Sequence, residues 1–556
     1  MARHSHAAQR AVIPHPVDMP GGRRNRAATG IRGRAEDRMS STLDQTFTDE
    51  TNLAGDRTSV NRRSRVRARL QWYFLPSPAR WRVFLAAMTL VSFGSFLYRS
   101  SWSYDLFIDE PFYAAVGQSI ARGQLPYAAG VHFFLHPPGY FLAESLWMQL
   151  FGLHNEVFAQ VYSLRKLIAV FAALSVLMIA LIVDKVVGRR AAVFAALVFA
   201  VNAFVHRDNG INILEPSTVF WALAGYAVLV NLAASGTRKR SLQVVAGGLL
   251  FGLSILSKEF AIFITIVPLA FVFLFGAWLS RREALATAAL ATAPYLGWLA
   301  VVIGSGNWGT YVSQVSTGFR RTAGTTQLTG FNSANAPSFV ETLLKNVYYL
   351  WTAYAILGLG TLAILYLAWR PRSPQQRFIA CYGLGAIPLL AYCVSLGANE
   401  EQFFNFLLTP ALISLIAVGW ALWPRLKLVL RALLVALVAV ALISDVGNWI
   451  HFRTSTDNGT YRVDRWMAQH VPIGSVVAVT NSVQREIFTR YRMVNDSGGD
   501  IASNPDVQYL VVFYRQVDEG YAFIGRSAAD EQTAGLPVLF ETSDRSNGRL
   551  VVYGIR

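Results

Sequence analysis

The chain alternates long apolar stretches with short, mostly basic connections. Apolar runs lie near 82–100, 161–183, 191–206, 212–234, 243–257, 260–279, 284–303, 346–369, 378–397, 404–423 and 428–447. A helix needs about 20 apolar residues to cross a bilayer, so the pattern predicts an all-α polytopic membrane protein of about 11 transmembrane helices. Two of the runs, 191–206 and 243–257, are short for a crossing. Beyond residue 450 the period changes. Tyr461 to Val471 and Ser482 to Tyr491 read as helices, and Ser475–Thr480, Val507–Phe513, Leu536–Glu541 and Arg549–Ile555 as strands, which predicts a small C-terminal extracytoplasmic α/β domain.

Orientation follows from the basic residues. Lys185, Arg189 and Arg190, then Arg238, Lys239 and Arg240, then Arg281 and Arg282, Arg370, Arg372 and Arg377, and Arg425, Lys427 and Arg431 mark alternate connections as cytoplasmic. The N-terminus then lies inside, and an odd number of spans puts residues 101–160, about 305–345 and the C-terminal region outside. Four parts result: a disordered basic cytoplasmic tail over 1–75, an N-terminal transmembrane module over 76–305 with a first exterior loop at 101–160, C-terminal helices and an exterior loop over 306–449, and an exterior α/β domain over 450–556.

Composition agrees, with 53% hydrophobic and 15% charged residues. The net charge of +17 comes mainly from Arg in the tail and inner loops, where topology and anionic lipid account for it, which argues against nucleic acid as a partner. His4, His6 and His15 read as solvated tail histidines. Cys381 and Cys393 share one predicted helix and, at about 1.5 Å rise per residue, sit about 18 Å apart, too far to bridge.

The first exterior loop carries the most pointed chemistry. Asp109-Glu110-Pro111 follows the first span, and His136-Pro137-Pro138-Gly139-Tyr140 follows in the same loop. Pro111 suits the first turn of a helix, which sets both carboxylates at its N-terminus. Two helices are expected here, Pro111–Arg122 and Tyr140–Leu150, lying in the membrane interface or forming the core of a folded loop. An outward carboxylate at a membrane surface serves as a proton relay, an ion site, a metal ligand or a general base. Other polar groups recur at outer span ends: Arg207-Asp208-Asn209, Glu215-Pro216, Ser257-Lys258-Glu259 and Glu400-Glu401-Gln402. Charges at one depth on several helices are expected to converge on one exterior cavity.

These motifs, together with Leu214-Glu215-Pro216 and the Gly252 to Glu259 segment, resemble GT-C class glycosyltransferases that use polyprenyl-phosphate sugars, in the protein O-mannosyltransferase-like and lipid A aminoarabinose transferase-like branches. The likeness is best over about residues 80–280. It implies Asp109 as the catalytic base, with Glu110 as its partner. One base suffices for inverting transfer, since phosphate is already a good leaving group. The departing phosphate needs a cation, and Lys258 is the candidate, with Arg207 and Arg165 behind it. Asp208 and Glu215 are candidates for orienting the acceptor, and His136 for binding substrate. His132, His136 and Asp109 have ligand chemistry suited to a divalent metal ion, although their spacing is no known metal signature. The chain departs from the family pattern at Glu400-Glu401-Gln402-Phe403-Phe404, where a basic or aromatic pair is common ahead of a span such as the one holding Pro410.

The expected function is transfer of a sugar from a polyprenyl-phosphate carrier to a glycan, lipid or protein acceptor on the outer face of the cytoplasmic membrane. A transporter or flippase of lipid-linked sugars is the alternative, against which stands the lack of pseudo-symmetric repeats. A membrane anchor displaying a binding module would leave the span-end charges unexplained.

Overall fold

The computed structural model describes residues 77–153, 156–323, 339–395, 401–495, 501 and 504–556. The tail over 1–75, with His4, His6 and His15, and also Glu400, lie outside the described residues.

Helices cover each apolar run. They span Pro78–Leu97, Val157–Val186, Arg189–Val201, Ala203–Asp208, Glu215–Val230, Arg238–Ser257, Ile266–Phe275, Arg281–Gly304, Phe339–Trp369, Pro374–Ser395, Phe404–Leu422 and Leu428–Thr454. Among the described residues, six helices are long and apolar enough to cross a membrane. Several others are short or broken, for visible reasons. Asn202 interrupts the 191–206 run: its Oδ1 accepts from the N–H groups of Phe204 and Val205, and its amide donates to Thr352 and Asp445. Asp445 also accepts from the backbone N–H of Ala203. Two groups reached from other helices, the Thr352 hydroxyl and the Asp445 carboxylate, thus help satisfy a break that apolar surroundings would otherwise penalise. A second break falls at Lys258, whose backbone is extended (φ −155, ψ 130) between the helix ending at Ser257 and the 3₁₀ turn Glu259–Ile264.

The segment 101–160 forms the two expected helices, as Glu110–Ala121 and Gly139–Phe151, joined through a short hairpin of β1 (Tyr127–Ala128) and β2 (Val131–His132). A further amphipathic helix, Trp308–Thr322, follows Gly304. Its Gln314 pairs with the backbone of the 101–160 segment, accepting from Phe134 N–H (2.7 Å) and donating to the His132 carbonyl (2.6 Å).

The C-terminal part is a mixed five-stranded sheet in the order β4-β3-β5-β7-β6, from β3 (Val476–Val479), β4 (Arg492–Asn495), β5 (Tyr509–Phe513), β6 (Val538–Asp544) and β7 (Gly548–Gly554). β3 is parallel to β4 and β5, and β7 is antiparallel to β5 and β6. The helix expected over Ser482–Tyr491 is only a 3₁₀ turn at Ser482–Glu486, and β4 occupies a stretch not read as a strand. The apolar faces of β3, β5 and β7 pack in one cluster with the helices Glu110–Ala121 and Gly139–Phe151, through Val477, Val511 and Val552.

Candidate active site

Glu110 and Arg165 organise the approach to the site. Both are fully buried, with the guanidinium bonded to the carboxylate at 2.7 and 2.5 Å. Arg165 also donates to the carbonyls of Ser100 (3.1 Å), Tyr104 (2.7 Å) and Asp105 (2.8 Å), and Glu110 accepts from the N–H groups of Phe107 (2.7 Å) and Asn212 (2.6 Å). One ion pair thus gathers the chain from Ser100 to Glu110 onto the Val157–Val186 helix. Such a pair is tolerated when every remaining donor and acceptor is satisfied, as here. The expectation that Glu110 assists the chemistry and Arg165 the phosphate is therefore corrected: neither lines the cavity described next, because each is consumed by the other and by backbone.

Asp109, the residue before this helix, takes the opposite environment. It stands at the N-cap, is half-buried, and accepts from the Tyr113 hydroxyl at 3.5 Å. It lines a cavity of about 1230 Å³ together with His136, Arg207, Asp208, Lys258 and Glu259. Six charged or titratable side chains from four separate stretches of sequence therefore share one space. The cavity continues along Ile255, Ile262, Phe263, Ile266 and Leu389, an apolar wall built from the membrane helices, and along Asn481, Gln516 and Asn547 of the C-terminal part.

Lys258 is nearly buried. Its ammonium donates to Glu215 and lies 4.9 Å from the Phe403 ring centre. Glu215 itself does not line the cavity; it holds the Lys258 head group in place. The Lys258 break is what releases this side chain from the helix to meet Glu215 at the start of Glu215–Val230. Its neighbour Glu259 meets His136 Nδ1 at 3.2 Å. Asp208 accepts from Asn405 (2.6 Å) and from Arg207 (3.4 Å).

Asp109 and His136 reach the cavity, but His132 does not; its ring stacks on Phe134 with centroids 5.6 Å apart. Among the described residues, no group of three or more His, Cys, Asp or Glu is arranged to hold a metal ion.

Sequence reasoning passed over several polar residues near the site. Glu144 is fully buried beside Asn212, which donates to it at 2.7 Å and accepts from the Tyr140 hydroxyl. Burial pushes its carboxyl up to about 8. A carboxylate within the apolar set Phe141 to Leu150 was the available signal. Asp105 ties the 101–160 segment to the C-terminal part, accepting from Thr460 N–H and hydroxyl (both 2.7 Å) and from Asn547 (2.8 Å). Nothing in its local pattern marks it.

Residues 135–301 match a protein-family model described as dolichyl-phosphate-mannose-protein mannosyltransferase. Among solved structures, the chain is similar to ArnT from Cupriavidus metallidurans bound to undecaprenyl phosphate, at 15% identity over 86% of this chain and 99% of that one, with a TM-score of 0.57. It is also similar to the oligosaccharyltransferase AglB from Archaeoglobus fulgidus in complex with an inhibitory peptide and a dolichol-phosphate, at 13% identity over 77% of this chain and 69% of that one, with a TM-score of 0.52. A search of curated protein sequences finds no match. At these identities the structural likeness establishes a shared fold. Together with the family match it bears out the resemblance to GT-C-type polyprenyl-phosphate-dependent glycosyltransferases.

Proposed function

We propose that this protein is an inverting glycosyltransferase that moves one sugar from a polyprenyl-phosphate carrier to an acceptor on the outer face of the cytoplasmic membrane. The observation that carries the reading is a single cavity lined by both Asp109 and Lys258 and continued by an apolar wall. A carboxylate and an ammonium in one space, beside a surface suited to a polyprenyl chain, match the three things such a reaction must hold: a hydroxyl to deprotonate, a phosphate to receive charge and a lipid tail.

In this mechanism the Asp109 carboxylate takes the proton of the acceptor hydroxyl as that oxygen bonds to the anomeric carbon. The bond from the anomeric carbon to the phosphate oxygen breaks on the opposite face, and the electron pair leaves with the carrier phosphate. Lys258, with Arg207 on the same cavity, meets the phosphate charge as it develops. Glu215 fixes the ammonium, and Asp208, steadied by Asn405, is placed to orient an acceptor hydroxyl. The family match and the bound carriers of the two structural neighbours support this assignment. About 11 crossings, an interior N-terminus and an exterior C-terminal sheet belong to the same reading.

The test is incubation of the purified protein with a panel of polyprenyl-phosphate sugars, following release of the carrier phosphate and the anomeric configuration of the product. Carrier release with inverted configuration is expected. A retained configuration, or translocation of intact carrier without cleavage, would overturn the reading.

A further inference from the structure

Two arginines at the cavity, Arg453 and Arg545, have no part in the mechanism above. Tyr104 lines the cavity, and the guanidinium carbons of Arg453 and Arg545 each lie 5.4 Å from the centre of its ring. Arg545 and Arg207 line the cavity too. Arg453 is fully buried behind them. Its hydrogen bonds go to the Ser103 hydroxyl (3.2 Å) and the His206 carbonyl (3.4 Å), and among the described residues its Nε has no partner and no carboxylate meets it.

The nearby carboxylates are already engaged. Asp457 accepts from Arg545 (3.3 Å), from the Ser546 hydroxyl (2.6 Å) and from the backbone N–H groups of Arg545 and Ser546. Asp208 is shared between Arg207 and Asn405, and Asp105 is held by Thr460 and Asn547. The Tyr104 hydroxyl is buried and has no hydrogen-bond partner among the described residues. Its ring packs so closely on Gly210 that a Cβ there would lie 2.4 Å away. A guanidinium taken out of water with no countercharge is costly, and so is a buried hydroxyl with no partner. An anion seated at the cavity face of Tyr104 would answer both.

We propose that Tyr104 and Arg545, with Arg453 behind them, form an anion subsite that takes a phosphate or carboxylate group carried by the acceptor. The assignment to the acceptor rests on the function proposed above, which gives the donor's phosphate to Lys258. The neutral amides of Asn481, Gln516 and Asn547 on the same cavity suit sugar hydroxyls, so the acceptor class is an anionic glycan.

The test uses the full chain in lipid nanodiscs and two probes: glucose 6-phosphate for the acceptor's anion and undecaprenyl phosphate for the carrier. The unmodified protein should bind both. Tyr104→Phe and Arg545→Gln should each weaken glucose 6-phosphate by about tenfold or more, the scale of one hydrogen bond to a charged group, and leave undecaprenyl phosphate unchanged. Lys258→Met should do the reverse. Arg545 also bonds to Asp457 and the Ser103 carbonyl, so its variant carries a risk of misfolding. Tyr104→Phe settles the matter, because it removes a hydroxyl with no hydrogen-bond partner among the described residues and should leave Tm unchanged. The subsite falls if the unmodified protein does not bind the sugar phosphate at millimolar concentration, if Tyr104→Phe binds it normally, or if Lys258→Met alone abolishes it. Failure to bind undecaprenyl phosphate would instead remove the proposed function.

Discussion

Asp109 and Glu110 are adjacent in sequence, yet one is sealed against Arg165 and the other opens on the cavity. The division of labour follows from the helix start: the N-cap side chain projects away from the helix body, while the next residue turns into the protein. Asp109→Asn should therefore keep fold and expression and lose transfer by about 10² to 10⁴ in rate, since an amide has the shape but cannot take the proton. Retention of more than about half of the turnover would end its role as base. Glu144 gives a different prediction at the same scale. Its carboxyl is held neutral by burial, with a folded value of about 8 against the ordinary 4.5. Between those values the folded state binds the proton that the unfolded state has lost, so stability is full at acid pH and falls as pH rises toward 8. Glu144→Gln mimics the neutral form, and its Tm should decline less between pH 5 and pH 8 than that of the unmodified protein. Parallel melting curves for the two would show that Glu144 does not carry the effect.

Two elements meet where the His136-to-Tyr140 turn crosses the end of the Arg238–Ser257 helix. A Cβ at Gly139 would lie 2.7 Å from the backbone carbonyl of Leu256, so the turn seats on the residues that lead into Lys258 and Glu259. Backbone cannot move aside as a side-chain tip can. Gly139→Ala should therefore shift His136 and Lys258 together, lowering Tm and weakening undecaprenyl phosphate binding in the same variant; loss of neither would show the contact to be slack. Much of this scale was legible in the sequence. The apolar runs gave the helices, Pro111 marked the start of Glu110–Ala121, and span-end charges converge on one cavity. What stayed hidden depends on long-range partners: Arg165 reads as one more charge in an apolar run until its carboxylate and three carbonyls are seen, and Arg545 lies in an ordinary strand turn. The break at Asn202 was equally silent, because Asp445 arrives from a helix far along the chain.

For the whole molecule, the proposed orientation puts Ser305 and Ser527 outside and Ser235 inside, and all three are exposed on the protein surface. Single cysteines at Ser305 and Ser527 should react with an impermeant thiol reagent in intact cells, and one at Ser235 should not; the opposite pattern would invert every site assignment. The join between the two ends of the chain matters as much as the orientation. Asp105 is fastened to Thr460 and Asn547, the Asp457 N–H donates to the Trp102 carbonyl (2.8 Å), and Arg545 reaches the Ser103 carbonyl. The segment that presents Asp109 is thus finished by residues the ribosome adds hundreds of positions later. A membrane helix inserts as it emerges, but this site must wait for Asp457, Thr460, Arg545 and Asn547, so a nascent chain that still lacks them should stay inert toward the carrier pool. A chain stopped at residue 540 should insert and label like the full protein yet transfer nothing; activity in that truncation would show that the late residues are dispensable. Closure of that join would then act as the licence for the reaction, ensuring that only molecules carrying it spend lipid-linked sugar.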